Sequence, residues 1–224
     1  EGVRNYVIVG GEVGGWIAAG CNGIGDQTQP GDRDGHCDGD SYVYIGGNVK
    51  VGYKGWTIND VEGGNIFGAG RGASGKTYPV GTVNNSNLVI ADNAMVEKNV
   101  YGGGNQANLI GSTNVILRGS KVMGNLFGGA RMADIMGHAF VNIDGANATA
   151  DLIVKAVYGG NDIAGNIQLV TNNANWTWLS SISAPFDTKA MKSTATATWS
   201  TDKAVGNDYC AYILSTASSI VSTI

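Results

Sequence analysis

Val100-Tyr101-Gly102-Gly103-Gly104 is followed, one repeat later, by Leu126-Phe127-Gly128-Gly129-Ala130. The same phrase, a branched apolar residue, an aromatic and then small residues, occurs as Ile66-Phe67-Gly68-Ala69-Gly70 and Val157-Tyr158-Gly159-Gly160-Asn161. A degenerate copy is Trp16-Ile17-Ala18-Ala19-Gly20. Self-similarity of this kind marks a chain that stacks one structural unit on itself.

A second phrase sets the register. Short alternating strands are read at Val7-Ile8-Val9, Val43-Tyr44-Ile45, Leu88-Val89-Ile90, Val115-Ile116-Leu117, Val141-Asn142-Ile143 and Ile167-Gln168-Leu169. Their first residues are 36, 45, 27, 26 and 26 positions apart. The short intervals define the unit, and the long ones carry insertions at 21–41 and 71–86. First and third residues of each strand are apolar and share one face, so they point inward and the middle residue points out. A third apolar spot follows as Leu109-Ile110-Gly111 and Ile135-Met136-Gly137. Helical periodicity with capping signals is absent.

Three short strands per unit predict an all-β chain, a parallel β-helix of about six irregular coils over residues 1–171. Residues 172–224 break the pattern and are read as a C-terminal cap or the start of a further module, because an open sheet edge must be covered. Val7, Val43, Leu88, Val115, Val141 and Ile167 are expected to form one inner column. Phe67, Tyr101, Phe127 and Tyr158 are expected to form an aromatic ladder. The glycines behind the aromatics are expected to supply tight corners and positive φ.

Composition narrows the class. Of 224 residues 36 are Gly, 43% are hydrophobic and 14% are charged, so the surface must be rich in Asn, Ser, Thr and Gly. That charged share is well below the average of about 25%, and suits an extracellular β protein. A net charge of −4 leaves no electrostatic footprint for nucleic acid. No apolar run approaches the roughly 20 residues of a transmembrane helix. The chain opens at Glu1 without a signal peptide, which reads as a mature product or a piece of a larger polypeptide. Cys21 and Cys37 bracket the first insertion, and a local disulfide fits an oxidising compartment.

These repeats resemble the Gly-rich regions, marked by Tyr/Phe-Gly-Gly copies, of large surface proteins from Bacteroidetes-type bacteria. The resemblance covers about residues 1–171. It implies a parallel β-helix displayed on the bacterial cell surface or secreted, with an adhesive or structural role. Its partners would be other parts of a larger surface polypeptide, glycans, or host or bacterial surface proteins. It carries no catalytic residues to transfer.

Candidate chemistry is sparse. Asp32, Asp34, Asp38 and Asp40, spaced by Gly35 and Gly39, follow the grammar of an oxygen-rich calcium loop. The plainer reading of the same residues is a solvated acidic turn. Gly70 to Thr77 has phosphate-loop spacing, but Tyr78-Pro79-Val80-Gly81 cannot continue the helix such a loop requires. Asp60, Asp92, Asp134, Asp144, Asp151 and Asp162 are scattered among units, and His36 and His138 stand in different contexts. No acid/base pair or nucleophilic triad is apparent, so the expectation is a non-enzyme. The alternative is a carbohydrate-binding or polysaccharide-degrading module, with Tyr44, Trp56, Trp176 and Trp178 as sugar-stacking aromatics.

Overall fold

The computed structural model describes residues 4–23, 35, 37, 39–52, 54, 56–58, 61–73, 81–145 and 147–167, and the backbone of 211–215. In chain order the strands are β1 (Arg4–Ile8), β2 (Glu12–Val13), β3 (Ile17–Ala18), β4 (Ser41–Ile45), β5 (Lys50–Val51), β6 (Thr57–Ile58), β7 (Val61–Glu62) and β8 (Ile66–Phe67). They continue as β9 (Ser86–Ala91), β10 (Met95–Val96), β11 (Val100–Tyr101), β12 (Thr113–Arg118), β13 (Lys121–Phe127), β14 (Ala139–Ile143), β15 (Ile153–Tyr158) and β16 (Ala211–Ser215). Among the described residues there is no helix.

The expected β-helix of six three-stranded coils is corrected. The strands assemble into two parallel sheets and a small antiparallel pair, β6 with β7. The first sheet has six strands in the order β1-β4-β9-β12-β14-β16. The second has eight, in the order β2-β5-β10-β13-β11-β8-β3, with β15 also on β13. Two features of the sequence cause the difference. Met123-Gly124-Asn125 stays extended between Val122 and Leu126, so β13 is one seven-residue strand pairing with both β10 and β11. The third apolar spot is broken by Gly111 and Gly137. It forms only isolated parallel bridges, Val83 to Leu109, Leu109 to Ile135 and Ile135 to Ile167.

Pairing follows the repeat interval in the middle of the chain. Val115 lies opposite Val141 on one side and Leu88 on the other, and Leu117 lies between Ile143 and Ile90. Val43, Leu88, Val115 and Val141, with Ile45, Ile90, Leu117 and Ile143, are each at most 1% exposed and belong to the main core. The ends depart from the expectation. Tyr6, not Val7, faces Val43, and Val9 is 60% exposed. The run Tyr6-Val7-Ile8-Val9 is apolar throughout, so alternation could not fix its phase. Ile167 stacks on Ile135 instead of Val141, whose partner is Ile213 of β16. Gln168 lies outside the described residues.

The outward positions are also covered. Ile116 and Asn142, expected to be exposed, are buried, and Val89, Ala91 and Ile116 form a second apolar cluster flanked by Tyr42 and Tyr44. Parallel sheets are ordinarily buried on both faces. The Ser and Thr that open the inner face are wholly buried as well. Ser41 Oγ donates to the carbonyl of Gly68 (2.7 Å), Ser86 Oγ to Gly102 (2.6 Å) and Thr113 Oγ1 to Gly128.

This accounts for the small residues after each aromatic. A Cβ on Gly102 would stand 2.2 Å from the Gly128 carbonyl oxygen, and one on Gly128 2.6 Å from that of Gly159. Close approach between units, not positive φ, demands glycine here, since neither is among the positive-φ residues.

Arg118 and Asp144 follow paired residues, and Arg118 Nε donates to Asp144 Oδ2 at 2.8 Å. The Asp144 side chain is 0% exposed, so this is not the exposed pair that strand positions alone imply. Arg118→Met leaves a buried carboxylate without its cation and should cost about 3–5 kcal/mol. The double variant Arg118→Met/Asp144→Asn should recover most of that loss in urea unfolding. A loss below about 1 kcal/mol for the single variant would place the pair with ordinary surface ion pairs.

Candidate functional site

The aromatic ladder forms as the sequence predicts. Phe67 and Tyr101 stack with centroids 5.1 Å apart, Tyr101 and Phe127 at 5.2 Å, and Phe127 and Tyr158 at 4.9 Å, with ring planes within 12° of parallel. Trp16 closes one end edge-on, 6.2 Å from Phe67. Strand pairing one unit apart sets this spacing, and each stacked pair adds about 0.5–1.5 kcal/mol beyond burial. Inner rungs are buried, whereas Tyr158 is 49% exposed, with Ile163 exposed nearby in sequence.

Beside the stack, the Tyr101 hydroxyl donates to Asp162 Oδ2 (2.9 Å) and accepts from Asn99 Nδ2 (2.9 Å). Burial pushes the Tyr101 phenol well above its ordinary value, and the Asp162 carboxylate adds to the shift. Tyr101 therefore serves as a neutral donor inside the stack, not as an acid or base near neutral pH.

Some of the other polar side chains form three runs of contacts between units, which the sequence reading missed. In the first, Asp40 Oδ1 accepts from the Asn85 backbone N–H (3.1 Å), Asn85 Oδ1 from Ser112 (2.8 Å) and Ser112 Oγ from His138 (2.9 Å). In the second, Asn65 Oδ1 accepts from the Asn99 N–H (3.1 Å) and Asn99 Oδ1 from Asn125 (2.8 Å). In the third, Asn108 Oδ1 accepts from Asp134 (2.9 Å) and Asp134 Oδ1 from Asn166 (2.7 Å). The first and third runs cap turns, and the second caps Asn125 beside the register shift inside β13. The sequence signal was a polar residue recurring at the repeat interval, as in Asn99 and Asn125.

The sequence-predicted residues separate accordingly. Asp32, Asp34 and Asp38 lie outside the described residues. Asp40 is described, and its carboxylate also accepts from Asn85 Nδ2 (2.9 Å) and the Tyr42 hydroxyl (3.3 Å). Among the described residues no three His, Cys, Asp or Glu side chains are grouped to hold a metal ion. Asp60, His36, Trp176, Trp178 and the phosphate-loop-like residues 74–77 lie outside the described residues. Asp92 sits at φ 56°, a turn conformation Asp tolerates. The Gly47 N–H (2.9 Å), the Thr149 hydroxyl (2.7 Å) and the Tyr44 hydroxyl (3.0 Å) all donate to it. These bonds, led by that from Gly47, hold its carboxyl below the usual range. Tyr44 is thus tied into a turn. Trp56 is 58% exposed and rests on Gly14, where a Cβ would fall 2.7 Å from the indole.

The carboxylates of Asp40, Asp92, Asp134, Asp144 and Asp162 are each engaged by hydrogen bonds within the fold, and Asp92 and Asp144 both feel the charge of Arg118. Among the described residues Trp56 and Tyr158 are the large aromatics that stay exposed, beside the exposed aliphatic side chains of Val9, Ile110, Met123, Met136 and Ile163. In comparisons with family models, curated proteins and solved structures, nothing matches this chain.

His138 adds a pH dependence. Its ring lies 5.7 Å from Phe140, and burial lowers its pKa to about 4. The unfolded chain takes a proton at about 6.5. Between those values the unfolded state binds more protons, so stability is intact above about pH 6.5 and falls as the pH drops toward 4. The urea midpoint should therefore fall between pH 7 and 4.5, and His138→Gln should flatten that part of the curve. Equal slopes in the two proteins would show that the ring is not held neutral.

Proposed function

We propose that this chain is a structural or adhesive segment of a larger bacterial cell-surface protein, exposed outside the cell. The observation that carries the reading is the use made of its polar side chains. Asn, Asp, Ser and Thr side chains bind backbone groups of neighbouring units, several of them 26 or 27 positions away. A polar inventory committed to holding repeats together is that of a scaffold. Low charge and high Gly content, with the resemblance to Tyr/Phe-Gly-Gly surface repeats, support exposure outside the cell.

The second reading, a carbohydrate-binding module, draws on Trp56 and Tyr158. Each is an exposed aromatic of the kind that stacks on sugar rings, and Tyr158 is the last rung of the ladder among the described residues. A polysaccharide-degrading activity has less support, because Asp40, Asp92, Asp134, Asp144 and Asp162 are each already engaged by hydrogen bonds within the fold.

Antibody labelling of intact producing cells, with protease shaving, tests the first reading. The expected result is labelling that protease removes while a cytosolic marker stays intact. Recovery of the chain only from lysed cells would contradict it. Glycan-array binding lost in both Trp56→Ala and Tyr158→Ala would favour the second reading.

A further inference from the structure

We propose that Cys21 and Cys37 are a disulfide-forming pair that covalently closes the first insertion onto the stacked units. In the structure both are thiols, and their sulfurs stand 2.9 Å apart. The geometry around them is built from both sides. The Cys21 carbonyl accepts from the Arg71 N–H (2.9 Å), and the adjacent Asn22 bridges Arg71. Cys37 donates its N–H to the Thr82 carbonyl (2.9 Å).

That last bond has a counterpart in each later unit. Leu109 donates to the residue before Ile135, and Ile135 to the residue before Ile167. Cys37 donates in the same way to the residue before Val83. It therefore occupies the apolar column of Val83, Leu109, Ile135 and Ile167, and it is 4% exposed in their cluster, with Cys21 packed against it. Both backbones are fixed before any bond forms, so the sulfurs are held together by the fold.

Two other roles fit less well. Thiolates sharing a tetrahedral zinc ion at about 2.3 Å stand about 3.7 Å from each other, farther than these sulfurs. A pair of buried cysteines acting only as small apolar side chains needs no alignment of sulfur on sulfur.

The reaction is thiol–disulfide exchange with a small-molecule disulfide such as oxidised glutathione. The thiolate of one cysteine attacks the oxidant's S–S bond, forming a mixed disulfide and releasing one thiol. The second cysteine thiolate then displaces the other thiol. The Sγ–Sγ bond forms, the oxidant is reduced to two thiols, and the two cysteine protons are lost to solvent or to the released thiolates. Cross-linking positions 16 apart restricts the unfolded chain and so raises stability.

The test uses the whole chain, purified reduced and then equilibrated in a glutathione redox buffer. It is unfolded without reductant and alkylated with iodoacetamide. The chain has three cysteines, the third being Cys210. The expected result is one alkylated cysteine and a peptide map joining Cys21 to Cys37. Cys21→Ser should then show two alkylated cysteines after the same treatment. Reduction of the oxidised protein should lower its melting temperature by about 6–12 °C. Three alkylated cysteines after oxidation, or a link through Cys210, would overturn the proposal. Labelling of the unfolded wild type decides the matter even if Cys21→Ser does not fold. The oxidant is supplied in vitro, so failure here is separate from failure of the surface location, though the pairing matches that location.

Discussion

Among the described residues the chain leaves its strands repeatedly, and at several of these points a backbone N–H has no strand partner and is met by a side chain instead. An unsatisfied buried amide costs about 1–3 kcal/mol, so a stack with several turns per unit cannot leave many bare. Here a polar side chain one unit away supplies the acceptor, as Asn99 does for Asn125 and Ser112 does for His138. The constraint couples sequence spacing to structure. A polar residue at the wrong interval leaves one N–H uncapped and its own side chain without a use. Sheet pairing, the aromatic stack and the inner hydroxyls each join neighbouring units, so each reinforces the register set by the others.

The middle of the chain was legible because several signals agree there. Val115, Leu117, Val141 and Ile143 alternate with other residues, repeat at 26 positions and are buried as read. Where only one signal was present the reading failed. The apolar run Tyr6 to Val9 has no phase, and it pairs one residue away from the expected register. Ile167 repeats the local alternation, but the longer turn after Ile143 moves it to the column of Ile135. The two-sheet arrangement was not legible either. Whether Met123-Gly124-Asn125 bends or stays extended depends on pairing with β15 and on the Asn99 cap, not on local preference.

The candidate site was less legible than the fold. Acidic residues invite a metal or acid–base reading, yet several of those described are engaged in hydrogen bonds that hold the fold. Asp144 pairs with Arg118, Asp134 caps Asn166 and Asp92 organises a turn. Composition placed Asn, Ser and Thr at the surface, whereas Ser41, Ser86, Asn87, Thr113 and Asn142 among others are buried. The large hydrophobic side chains left exposed among the described residues include Tyr158 and Trp56.

Amide hydrogen exchange at the turns is the most direct test of this account. If side-chain caps hold the units in register, the amides of Ser112, Asn125 and His138 should exchange about as slowly as that of Leu117 in the strand core. Replacing Asn99 by Ala should accelerate exchange at Asn125 and leave Leu117 little changed. Exchange at all three turn amides as fast as at an exposed loop such as Gly10, in the intact protein, would contradict the claim that the caps fix the stack.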